Sequence, residues 1–157
     1  LNEEANNCVK IVRSVADVAT SSSRIRIAEQ CILEAFPSSY LGLMIVNPES
    51  VGAIRKNRSD KFFEALNGDG TLLSLLSYLL PRRRAVRDLS EIENHDDRAS
   101  FVCAITALGF AIGKYCAVGD ENGWIILPPR TFIQQWAHDF LRKNEIIDLA
   151  SGWTCCD

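Results

Sequence analysis

Ala99 to Val118, ASFVCAITALGFAIGKYCAV, constrains this chain more than any other stretch. From Ala99 to Gly113 it carries no charge, and beyond Ser100 at its start Thr106 is the one polar residue mid-run. Phe101, Ile105, Leu108 and Ile112 recur at helical spacing and form a bulky ridge. Ala99, Cys103, Ala107 and Ala111 recur every four residues and leave the opposite side small. A helix apolar on nearly every side has to be covered on nearly every side. The expected fold is therefore all-α, a single-domain bundle of about seven to nine helices around a buried central hydrophobic helix over 99–117.

The same run is too short to cross a bilayer, which takes about 20 apolar residues. Arg98 and Lys114 bracket it. The first residues, LNEEANN, lack the basic and apolar regions of a signal peptide. The chain of 157 residues has length for one domain, expected over 1–157. Its start at Leu1 suggests a domain excised from, or processed out of, a longer chain.

Other helices follow from periodicity. Cys8, Ile11, Val12, Val15 and Val18 make one stripe, and Ile25, Ala28, Ile32, Ala35 and Phe36 a second that stops before Pro37. Tyr40–Val46 is a short apolar run, taken as helical. Asn47-Pro48-Glu49 starts a helix running to about Lys56. KFFEALN is closed by Gly68, and the leucine-rich run after Thr71 ends at Pro81. Arg82–Glu93 turns Ala85, Val86, Leu89 and Ile92 inward, although its arginines come first and its acids last, against the helix dipole. Asn122-Gly123 favours a tight turn, so a small hairpin over 115–127 competes with an extended loop. Phe132, Ile133, Trp136, Ala137, Phe140 and Leu141 stripe a last helix, continuing through Leu149 after a kink near Asn144 and ending at Gly152.

No residue pattern specifies a reaction, and no enzyme is expected. Asn67-Gly68-Asp69-Gly70-Thr71 resembles the centre of a calcium loop, but Ala65 and Leu76 stand where its first and last carboxylates belong. His95-Asp96 and His138-Asp139 are His-Asp dyads, yet two histidines are too few for a helical metal-dependent phosphohydrolase centre. No metal or cofactor is expected, nor a small-molecule substrate. The six cysteines contain no C-x-x-C pair. Cys8, Cys31 and Cys103 fall on apolar stripes as small hydrophobes, so reduced thiols and a cytoplasmic or otherwise intracellular location are expected. Cys155-Cys156 reads as part of a partly packed tail.

Two binding readings remain. Trp124, Phe132, Trp136 and Trp153 concentrate aromatic surface in the final third, suited to anchoring a partner protein or a second copy. Arg55, Lys56, Arg58 and Lys61, with Arg82, Arg83, Arg84 and Arg87, hold nearly half of the 17 cations and suit phosphate oxygens. The formal charge of −3 makes any RNA surface a local patch. The preferred expectation is a non-enzymatic interaction, adaptor or regulatory domain that takes a partner segment in a helical groove. The alternative is a helical RNA-binding or nucleoprotein-like module using the arginine clusters.

Overall fold

The computed structural model describes residues 17–18, 31–51, 57–120, 123–147 and 152–156. Two short strands, β1 (Asp17–Val18) and β2 (Cys31–Ile32), pair in parallel. The helices are α1 (Pro37–Gly42), α2 (Pro48–Val51), α3 (Arg58–Gly68), α4 (Thr71–Leu79), α5 (His95–Ala111) and α6 (Gln135–Ile147). Strands β3 (Tyr115–Asp120) and β4 (Gly123–Leu127) lie between α5 and α6, and β5 (Gly152–Cys156) follows α6. β3 pairs antiparallel with both β4 and β5, giving the order β4-β3-β5.

This corrects the all-α expectation. The described residues hold six α-helices, four of them substantial, beside an antiparallel sheet, rather than a bundle of seven to nine. The central helix does not reach 117. Gly113 takes φ +70°, Lys114 N–H donates to Gly109 O at 2.8 Å and Gly113 N–H to Phe110 O at 3.1 Å. That is a Schellman cap, and it stops α5 at Ala111. Tyr115, Val118, Trp124, Ile125 and Ile126 are strand formers, and once Gly113 has turned the chain they pair as a hairpin. Asp120 pairs with Gly123, so Gly123 belongs to the strand. Thr154 and the cysteines beyond Gly152 then extend the sheet.

Nor is α5 sheathed all round. Val102, Ile105, Thr106, Gly109 and Phe110 are buried, whereas the small residues Cys103, Ala107 and Ala111 are exposed. Small side chains have little apolar area to hide, so that face can meet water at low cost. Thr106 satisfies its hydroxyl on Val102 O at 2.7 Å. Asn94 caps the start, its Oδ1 accepting from Asp97 N–H at 2.8 Å, and Asp96 and Asp97 complement the dipole.

The main core gathers Tyr40, Leu41 and Met44 around α1, Phe62, Phe63 and Leu66 of α3, Leu72, Leu75 and Leu79 of α4, and Val102 and Ile105 of α5. The sheet is covered on both faces. Tyr115, Ala117 and Ile126 pack with Phe110 on one, and Cys116 and Leu127 with Ile133 and Ala137 on the other. This alternation is the two-residue period of a strand. The backbone of Glu34 closes on the outer edge of β4, with Ile126 N–H donating to Glu34 O at 3.0 Å.

Several local expectations change. The stripes expected before Pro37 contain paired strand at 17–18 and 31–32, and their remaining residues up to Gln30 lie outside the described residues. Pro37 starts α1 instead of following a helix, since its fixed φ suits a first turn. The helix expected from Pro48 is seen as α2, and 52–56 are outside the described residues. Arg82–Glu93 is not a helix. Residues 81–88 are exposed, Val86 is 99% exposed, and only the 3-10 turn Leu89–Glu91 is regular. Four arginines at the positive end of a helix dipole oppose that helix, and one buried leucine does not offset them. α6 runs through Asn144 without a break, preceded by a 3-10 turn at Arg130–Phe132.

Cys116 and Cys155 face each other across β3 and β5 and are joined as a disulfide. The expectation of reduced thiols fails for this pair. The reason is topological: β5 brings together two cysteines 39 residues apart that local pattern could not associate. Cys103 is a free thiol on the exposed face of α5.

Candidate binding groove

Alongside α4 lies a cavity of about 520 Å³, lined by Leu73, Leu76, Ser77 and Leu80 of α4 and its end, Arg83, Arg84 and Ala85 of the following loop, Leu89, and Phe101 of α5. The leucine-rich sequence of α4 explains it. With leucines at 72, 73, 75, 76, 79 and 80, one helix has more apolar residues than its inward face can hide. Leu72, Leu75 and Leu79 go to the core, and Leu73, 53% exposed, faces the groove. Phe101 forms the opposite wall, set edge-on against Phe63 at 5.8 Å between ring centres. The Ser77 hydroxyl is spent on Leu73 O at 2.9 Å, so it adds little polarity.

Pro81 ends α4, and Arg83 N–H closes the turn on Leu80 O at 2.9 Å. The loop is anchored at its far end by Asp88, whose carboxylate accepts from Ser90 N–H at 2.8 Å. That backbone hydrogen bond, helped by the Ser90 side chain, holds the Asp88 carboxyl below its ordinary value. Arg82, Arg83, Arg84 and Arg87 are all exposed, and none forms an ion pair among the described residues. The carboxylate of Asp97, which could have answered them, accepts from the side-chain amide of Asn94. Arg87 turns toward a second cavity shared with Asp88, Glu91 and Asp97. Arg83 and Arg84 stand alone at the apolar rim.

The other expected residues are dispersed. Arg58 is exposed at the start of α3, Lys61 is half-buried, and Arg55 and Lys56 lie outside the described residues. Trp124 is half-buried against the sheet core, and its indole N–H is buried with no acceptor among the described residues. Phe132 packs on the main core, edge-on to Tyr78 at 5.5 Å. Trp136 is 38% exposed but commits its indole N–H to Ile45 O at 2.9 Å, helping to fix α6 against the chain after α1. The backbone of Trp153 pairs with Val118. Trp124, Phe132 and Trp136 lie outside the groove lining.

Sequence reasoning missed one polar cluster. His95 Nδ1 sits 3.1 Å from both oxygens of Asp60, and Arg98 reaches Glu64 at 2.9 Å and Asp60 at 3.8 Å. Arg98 also lies over the Phe63 ring at 5.3 Å and donates to Ile92 O at 2.9 Å. The signal was present: Asp60 and Glu64 are four apart on one helix, and His95 and Arg98 three apart on another. The partner of His95 is thus Asp60, not the adjacent Asp96. Asp60 and Glu64 on one side and His95 and Arg98 on the other make a polar joint between α3 and α5. Among the described residues no cluster of three or more candidate ligands could hold a metal, and no helix is long and apolar enough to cross a membrane.

Compared with known proteins, the chain matches no family, no curated relative and no solved structure.

Proposed function

We propose that the chain is a non-enzymatic interaction domain, and that its groove beside α4 receives an apolar, acidic segment of a partner protein. The observation that carries this reading is the pairing of an apolar trough with two unpaired arginines at its rim. An amphipathic helix would lay leucine-like side chains against Leu73, Leu76, Leu80 and Phe101. Its carboxylates would meet the Arg83 and Arg84 forks. The arginines set orientation and speed encounter, and apolar burial supplies most of the affinity.

A second reading, RNA binding through Arg82, Arg83, Arg84 and Arg87, is favoured by the exposure of all four residues. It is weaker because the surface beside them offers one aromatic ring, Phe101, for base stacking. The Cys116–Cys155 bond supports an oxidising compartment as the place of action.

The test uses two labelled peptides, one of leucine and glutamate and one of leucine and lysine, each written at helical spacing. Fluorescence anisotropy should show binding of the first and not the second, lost in Arg83→Glu/Arg84→Glu and in Leu73→Glu. Equal binding of both peptides would sink the charge argument. Single-stranded RNA run in parallel at about 50 and 200 mM salt, where phosphate contacts cost roughly 10³ to 10⁵ in affinity, decides the second reading. Tight, salt-sensitive RNA binding with no peptide binding would put RNA first.

A further inference from the structure

We propose that the corner between the 3-10 turn Arg130–Phe132 and α6 is a second site, binding a small phosphate monoester between Arg130 and Arg142. A cavity of about 330 Å³ lies there, lined by Arg130, Thr131, Ile133, Gln135, His138 and Arg142. Gln135, His138 and Arg142 are spaced three and four apart and share one flank of α6, away from the buried Ala137. Arg130 comes from the preceding turn, and its carbonyl lies 3.4 Å from His138 Nε2.

The corner is built rather than draped. Pro128 and Pro129 are buried, and Phe132 and Ile133 close the 3-10 turn on the carbonyls of Pro129 and Arg130 at 2.9 and 3.1 Å. Gln134 then locks the helix start through its backbone N–H to Leu43 O at 2.9 Å and its side-chain amide to Met44 O at 3.0 Å. The backbones carrying the two arginines are therefore fixed relative to each other. Among the described residues no carboxylate lines the cavity, and Asp139, the acid nearest in sequence to His138, is held by Gln135 Nε2 at 2.9 Å. Neither arginine is ion-paired among the described residues.

Two guanidinium forks around one cavity suit an oxyanion with oxygens to share between them. A phosphate monoester, carrying close to two charges at neutral pH, meets both forks better than a singly charged carboxylate does. The Thr131 hydroxyl adds a polar contact at the wall. On a chain whose formal charge is −3, the attraction is local, so binding should weaken with added salt.

Inorganic phosphate is the first probe, titrated into the full chain while backbone amide NMR shifts are followed. Saturable shifts are expected at Arg130, Thr131 and His138, weakened roughly tenfold or more in Arg130→Gln and in Arg142→Gln. Both arginines are exposed, so these variants should keep the parent's melting temperature. Arg84→Gln should leave the shifts unchanged, which separates this site from the groove. Cosedimentation with phosphatidic acid vesicles, lost in the same two variants, would identify the source as a lipid headgroup, and phosphate shifts without cosedimentation a free phosphate monoester. Shifts that fail to saturate, or that persist in both variants, would overturn the proposal.

Discussion

Gly109 shows how closely the chain packs at single residues. A Cβ there would stand 2.9 Å from the carbonyl oxygen of Lys114, a backbone atom that cannot swing aside. Gly109→Ala should therefore cost about 1–3 kcal/mol, read from the midpoint of urea unfolding. Gly113, at φ +70°, has open space around it, and its alanine variant should lose about 1–2 kcal/mol from backbone conformation alone. Tyr40 makes a different prediction. It is buried, and burial pushes its phenol above the ordinary value of about 10. The unfolded phenol ionises first as pH rises, so stability should be full below about pH 10 and fall above it. Tyr40→Phe should flatten that alkaline limb. The expected helix ran through Gly113 to 117, because Tyr115, Cys116 and Ala117 carry the apolar pattern onward. The close approach at Gly109 involves a carbonyl that only the turn brings near, and periodicity carries no trace of it.

Among the elements, β5 and the arginine loop depend most on contacts that sequence cannot announce. β5 is tied to β3 by Cys116–Cys155, closing a loop of 39 residues. Closure of a loop this long is worth about 4 kcal/mol in the chain-entropy account, with a usual range of about 2–4. Cys155→Ser should lower unfolding stability by about that range, and non-reducing peptide mass mapping should recover Cys116 linked to Cys155. An unchanged midpoint on reduction would remove the staple from the account. In the loop, the depressed Asp88 carboxyl stabilises the 3-10 turn above the ordinary aspartate range, and that contribution is lost as pH falls through its lower folded value. Asp88→Ala should speed amide exchange at Ser90 and leave the α5 core amides unchanged. α3, α4 and α5 were legible from their apolar residues and from the breaks that bound them, although only α5 carries a side-chain N-cap. The hairpin of β3 and β4 was one of two readings that Asn122-Gly123 offered, whereas β5 was not legible, because Gly152–Cys156 is a short run whose partner β3 lies far along the chain.

For the whole molecule, the helical core and the sheet share α5, whose middle enters one apolar cluster and whose Phe110 enters another. That arrangement leaves α4 with surplus leucine and ends it at an arginine loop, and the groove follows from both. Half of the site was therefore readable: the arginines from composition, the leucines from their density. Their meeting was not, because it needs Phe101 and Leu89 from other elements to wall the trough. The most direct measurement is amide NMR shift mapping of the full chain as the leucine–glutamate peptide is added. Shifts are expected at Leu73–Leu80, Arg83–Ala85, Leu89 and Phe101. Shifts confined to Trp124, Phe132 and Trp136, with the groove silent, would contradict it.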